Sequence, residues 1–176
     1  FLGLLHMEIV QERLEREFNA ELITTSPTAV YRVTMADGAV KMIDNPSSLP
    51  KSDMIEKFEE PMVQLKIHTP SEHVGAILKL CEDRRGAQKN MDFVTPTRVQ
   101  ITYDMPLAEI VYDFFDRMKS VSRGYASMDY EWSGYREAPL IKLDVLLNGE
   151  PVDALSIIVH RDRAYDRGKI LCEKLR

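Results

Sequence analysis

The sequence predicts an α+β fold whose centre is one β-α-β-β-α-β unit between Met62 and Tyr135. Three observations carry that expectation. Val63, Leu65 and Ile67 alternate with Gln64, Lys66 and His68, and Val99, Ile101 and Tyr103 repeat at the same spacing, the period of strands that bury one face and wet the other. Val74, Ile77, Leu78 and Cys81, then Leu107, Ile110, Val111, Phe114 and Met118, recur at helical spacing and give each helix one apolar stripe. Gly and Pro fall near the junctions between these strings, where a left-handed or fixed φ is needed.

Ahead of the unit, Leu4, Met7, Val10, Leu14 and Phe18 share one face of a helix expected over Phe1 to Phe18. Extended segments follow around Glu21 to Thr25 and Val30 to Val33, and Asp37-Gly38 before Val40 is a hairpin-turn signal. Asn45-Pro46-Ser47-Ser48 and Pro50 break the chain, and the charged string Ser52 to Glu59 is expected to wind as a short linker helix.

Within the unit, Thr69-Pro70-Ser71-Glu72 has capping-box spacing, so a helix is expected to begin there. Gly86 after Arg84-Arg85 is expected to end it in the left-handed cap conformation. A strand through Met91 and Phe93, a Thr95-Pro96-Thr97 turn and the strand through Val99 make a hairpin. Pro106 starts the second helix, Arg123-Gly124 ends it, and Met128, Tyr130 and Trp132 mark one face of the last strand.

Two right-handed crossovers in that order place both helices on one sheet face, the split βαβ or ferredoxin-like arrangement. Gln64, Lys66, His68, Arg98, Gln100 and Thr102 then occupy the open face. They are polar and lack the aromatics with which a sheet stacks single-stranded RNA. After Pro139, Ile141 to Leu147 and Val152 to Val159 read as two strands joined through Asn148-Gly149, and the chain turns helical and most basic from Arg161 onward.

Composition narrows the function. With 44% hydrophobic and 29% charged residues the chain is of ordinary globular type. A net charge of -5 argues against a bulk electrostatic footprint for nucleic acid. Cys81 and Cys172 lie far apart without ligand spacing, which fits a reducing compartment and suggests neither a disulfide framework nor zinc. No apolar run approaches the roughly 20 residues of a membrane-spanning helix. Both ends fall inside helical patterns, so the chain is expected to be an internal piece of a longer cytoplasmic polypeptide.

Catalytic motifs are wanting. GxxxxGK[ST], whose amides and Lys cradle phosphates, is absent from the sequence. Asp83-Arg84-Arg85-Gly86 spells DxxG but ends a helix. His6 with Glu8, and His68 with Glu72 and His73, are compact His/carboxylate groups without further ligands, and read as solvated or capping. Cys81 sits on a buried stripe, and Glu59-Glu60 and Asp113 with Asp116 read as exposed linker and helix-face carboxylates. Alone, the chain is expected to catalyse nothing.

Cations remain, because phosphate contacts need no base-edge code. Three clusters stand out: Arg84, Arg85 and Lys89; Arg117, Lys119 and Arg123; and His160, Arg161, Arg163, Arg167 and Lys169. By charge alone each reads as solvated surface.

Several strings together carry a resemblance. Phe1-Leu-Gly-Leu-Leu-His-Met-Glu8 with Gln11-Glu-Arg-Leu-Glu-Arg-Glu-Phe18 resembles the last helix of the third domain of the elongation factor 4 (LepA) family of translational GTPases. Glu60-Pro61, Thr69-Pro70-Ser71-Glu72, Arg84-Arg85-Gly86 and Pro106-Leu107-Ala108-Glu109 resemble the fifth domain shared with elongation factor G. Asn148-Gly-Glu-Pro-Val-Asp-Ala-Leu155 and Val159-His-Arg-Asp162 are similar to the opening of that family's own C-terminal domain.

The resemblance implies residues 1–33 from a third domain, a hairpin and linker over 34–60, a fifth domain over 61–138 and the start of a C-terminal α/β domain over 139–176. It implies no cofactor in this chain, with GTP and magnesium held by a missing G domain, and a cytoplasmic parent, at times peripheral on the inner face of the cell membrane. The family acts on elongating ribosomes and is proposed to move tRNAs backward. Arg84, Arg85, Lys119 and Arg123 are then expected to contact rRNA phosphate near the stalk base, and Arg161, Arg163 and Lys169 to belong to the tRNA-facing domain or its support; Lys89, Arg117 and His160 complete the expected RNA-binding set. The competing expectation is a ferredoxin-like module that senses a small molecule or scaffolds proteins without ribosome binding.

Overall fold

A computed structural model describes residues 4–22, 28–111 and 113–175. Helix α1 spans Leu4–Phe18, stitched by Arg13–Glu17 and Arg16–Glu12 pairs one turn apart. Its expected stripe is open to solvent at Leu14 and at Phe18, 71% exposed. The expected strand Glu21 to Thr25 lies partly outside the described residues. Strands β1 (Tyr31–Met35) and β2 (Val40–Ile43) form the hairpin anticipated from Asp37-Gly38. Gly38 sits at φ 82, and the Asp37 carboxylate accepts the Ala39 amide at 2.9 Å.

The expected linker helix over Ser52 to Glu59 is not formed. A single 3-10 turn, Ser52–Met54, leads straight into β3, a 16-residue strand from Ile55 to Pro70. The string is extended because its last residues find partners in β1: Phe58 pairs with Val33 and is buried, and Glu59 pairs with Arg32. The expected boundary between residues 60 and 61 therefore falls within an unbroken strand.

Helix α2 spans Val74–Asp83, β4 Ala87–Thr95, β5 Arg98–Pro106, α3 Phe114–Val121 and β6 Ser127–Glu137. All pairings are antiparallel. At Glu59, β3 is flanked by Arg32 of β1 and Glu137 of β6; from Met62 onward β5 takes over the side held by β1. The order β6-β3-β5-β4 is the ferredoxin-like order expected of β-α-β-β-α-β.

One core lies beneath α2 and α3, where Leu65, Ile67, Ile77, Ile101, Phe114 and Met118 are fully enclosed. Each such side chain contributes roughly 1.5–3 kcal/mol by leaving water. A second core joins Tyr31, Val33, Met35, Ile43 and Phe58 to Leu140.

Both helix starts differ from expectation. Thr69 remains in β3, buried and paired with Val99, and a 3-10 turn over Ser71–His73 precedes α2, with no side-chain cap. The capping box is thus unused. Pro106 likewise ends β5; a 3-10 turn over Leu107–Glu109 follows, and α3 begins only at Phe114. That delay swings Glu109 inward.

The helix end at Gly86 is also reached differently. Arg85 takes the left-handed φ of 59, and Gly86 donates its amide to the Cys81 carbonyl at 2.8 Å. Gly86 is required for space: a Cβ there would stand 2.8 Å from the Cys81 carbonyl oxygen and 2.9 Å from Tyr103 Cδ1.

Beyond Pro139, the two expected strands are each cut short. Strand β7 (Leu140–Leu143) pairs with β10 (Ile157–His160), while β8 (Leu146–Leu147) and β9 (Glu150–Pro151) make a separate hairpin around Asn148 and Gly149, both at positive φ. A 3-10 turn over Asp153–Leu155 interrupts the second string, and Ser156 is pinned to the Asp144 carboxylate at 2.7 Å. Helix α4, Ala164–Leu175, lies on β7.

Candidate nucleic-acid interface

Arg84 and Arg85 follow the last residue of α2 and point inward. The left-handed turn at Arg85 brings its guanidinium onto Glu60 of β3, with Nη1 and Nη2 donating at 2.9 and 2.8 Å, and its Nε onto Glu109 at 3.1 Å. Arg84 donates to Asp113 at 2.6 Å, Arg117 donates to the other oxygen of Asp113 at 2.7 Å, and Arg167 of α4 reaches Glu109 at 3.1 Å. Burial pushes the Arg85 proton affinity down, yet the Glu60 and Glu109 carboxylates outweigh it and the guanidinium is held more firmly charged. Burial would raise the Asp113 carboxyl; Arg117 and Arg84 prevail and hold it below its ordinary range.

This corrects one expectation. Glu59 and Glu60 are buried, not linker carboxylates, and Glu60 is 1% exposed. The Arg84 and Arg85 side chains, 11% and 15% exposed, are turned onto their own chain's carboxylates, with Arg84 Nη1 left 3.8 Å from Glu109 and without a hydrogen-bond partner among the described residues. The signal that could have found the node is the pairing of Glu60 with two adjacent arginines at a helix end, which charge counting along the chain does not register.

The other candidates scatter. Lys89 is exposed beside Asp104 at 2.9 Å. Lys119 donates to the Ala126 carbonyl at 2.6 Å, bracing the turn after α3. Arg123 is exposed at φ 50 with no ion-pair partner among the described residues. His160 Nδ1 accepts the Asp162 amide, and Arg163 donates to the Asp83 carbonyl at 2.8 Å. Arg161 and Lys169 are exposed, with side chains unpaired among the described residues. Arg123, Arg161 and Lys169 are therefore the candidates whose charge is unspent.

The His/carboxylate groups do not share one environment. His68 is exposed, whereas His73 is buried and stacked on Tyr125 with ring centroids 6.2 Å apart. The side chain of His6 lies outside the described residues. Cys81 is enclosed, and burial, with the nearby Glu82 charge, pushes its thiol up to about 12.

Sequence reasoning missed Arg32. It clamps Glu59 through two hydrogen bonds at 2.7 and 2.8 Å and lies over the Tyr135 ring, 4.6 Å from its centroid. Its hydrogen bonds hold the Glu59 carboxyl down to about 2. A depressed folded-state value means stability that is present above the ordinary carboxylate range and lost as pH falls toward 2. Urea midpoints measured from pH 7 downward should be flat to about pH 5 and then decline, and Arg32→Gln should flatten that decline.

A family model for the Elongation factor G C-terminus matches residues 57–146. The chain belongs to this family. All 176 residues align at 60% identity with a Desulforudis audaxviator (strain MP104C) protein and at 58% with one from Sorangium cellulosum (strain So ce56), both named Elongation factor 4. The chain spans 29% of the length of each. A solved chain from Thermus thermophilus is similar over 47% of this chain and 12% of its own, at 28% identity and a TM-score of 0.44.

The Elongation factor G C-terminus match opens at Lys57, inside β3, and closes at Leu146, past β7. It thus takes in the whole β-α-β-β-α-β module together with the buried node of Glu60, Arg85 and Glu109. Arg161 and Lys169 lie beyond it.

Proposed function

We propose that this chain is the ribosome-facing part of a GTP-hydrolysing translation factor of the elongation factor 4 kind, working in the cytoplasm on elongating ribosomes and favouring backward movement of tRNAs. The observation that carries the reading is the alignment of every residue, at 60% identity, with a protein named Elongation factor 4. In this reading residues 1–33 close one domain of the parent, the module over 61–138 docks on large-subunit rRNA near the stalk base, and residues 139–176 open a domain that approaches tRNA. GTP and magnesium belong elsewhere in the parent. The phosphate-cradling string GxxxxGK[ST] is absent from the sequence.

Phosphate docking falls to Arg123, Arg161 and Lys169, supported by Lys89, Arg117, Lys119 and Arg163, with His160 beside them. Each neutralised phosphate releases counterions, so affinity falls with salt. Ribosome co-sedimentation of the parent carrying Arg161→Gln and Lys169→Gln, between about 0.05 and 0.2 M salt, should show the log-affinity slope reduced by about two. A slope equal to that of the unaltered factor would remove both residues from the interface.

A further inference from the structure

We infer that Glu109 is the hub of an ionic latch that clamps α4 onto the β-α-β-β-α-β module. Its Oε1 is held within the module, whereas its Oε2 lies between α4 and Arg84 of the module, whose Nη1 is 3.8 Å away. Oε1 accepts from Arg85 of the module at 3.1 Å, and Oε2 accepts from Arg167 of α4 at 3.1 Å. A second link runs beside it, from Arg163 to the carbonyl of Asp83, the last residue of α2. That carbonyl has no partner within its own helix and carries the negative end of the helix dipole, so a cation suits it.

Apolar packing does not close this junction. A cleft of about 960 Å³ lies there, lined by Ala29, Tyr31 and Leu140 and by Ile170 and Leu171 of α4. Helix α4 rests on the paired strands β7 and β10, where Gly168 lies against Leu143. Leu140 and Ile158 root those strands in the second core. The C-terminal unit is thus held at one end by packing and at the other by two arginines.

The two halves of the latch differ in strength. Arg85 and Glu60 are enclosed, whereas the Arg167 side chain is 37% exposed and open to competing ions. Dissolved salt or a phosphate group reaching Arg167 weakens the outer half while the inner half stays shut. The latch is a release point: α4 swings outward while the module remains folded.

Distances between spin labels on Cys172 of α4 and on an introduced Ala76→Cys of α2 report the opening. Both positions are exposed, and Cys81, buried with its thiol pushed up to about 12, stays unlabelled. One narrow distance distribution is expected at low salt. Arg163→Gln with Arg167→Gln should raise the population of longer distances about tenfold and leave the Tm of the module in place. Raising salt to about 1 M should reproduce that population without either substitution. A distribution that stays narrow in the double variant, or in high salt with both arginines present, overturns the latch.

Discussion

Arg85→Ala should lower the unfolding free energy by about 3–5 kcal/mol, the cost of removing one partner from an enclosed ion pair. Glu60 would lose a bidentate partner while 1% exposed, and Glu109 would lose its Nε donor. In a chain of this length the loss corresponds to a Tm lower by on the order of 10 °C, measurable by thermal or urea denaturation. The cost comes from the abandoned carboxylate, so Glu60→Leu with Arg85→Met should recover a large part of it. A drop under about 1 kcal/mol for Arg85→Ala would mean that water enters the node and the charges there are screened.

Gly86→Ala should cost about 1–3 kcal/mol by overpacking. The added methyl would meet the Cys81 carbonyl, which is backbone and cannot rotate away, and the ring of Tyr103, which is enclosed. Relief would require lifting the turn and stretching the 2.8 Å bond from the Gly86 amide to Cys81. Gly75→Ala supplies the comparison: it lies in α2 with nothing within 4 Å of its added methyl, and should gain a few tenths to about 1 kcal/mol. Equal urea midpoints for the two variants would defeat the steric account.

The module was legible because its strands and helices advertise different periods. Val63, Leu65 and Ile67 alternate, Ile77 and Cys81 recur a turn apart, and these are the residues that meet in the first core. The failures have a common origin in side chains whose partners are remote in sequence. Glu59 and Glu60 look solvated until Arg32 and Arg85 arrive from 27 and 25 residues away. The same blindness put Arg84 and Arg85 on the surface: a cation counted along the chain carries no mark of where its counter-charge will fall. Helix starts were misplaced for a different reason. Proline after an extended residue is compatible with both a first helical turn and the end of a strand, and at Pro70 and Pro106 the ladder between β3 and β5 decides, pairing Pro70 with Arg98 and Met62 with Pro106.

Strand β3 has a mechanical meaning. Sixteen extended residues span roughly 50 Å, and this rod is gripped near one end by β1 and along the rest by β5 and β6. The two grips adjoin at Glu59, which is paired on both flanks, and the β3–β6 register shifts just beyond, between Met62 and Val63. A push on the Tyr31 hairpin is therefore passed toward the far sheet along one continuous backbone, with that shift in register as the place where the rod can bend.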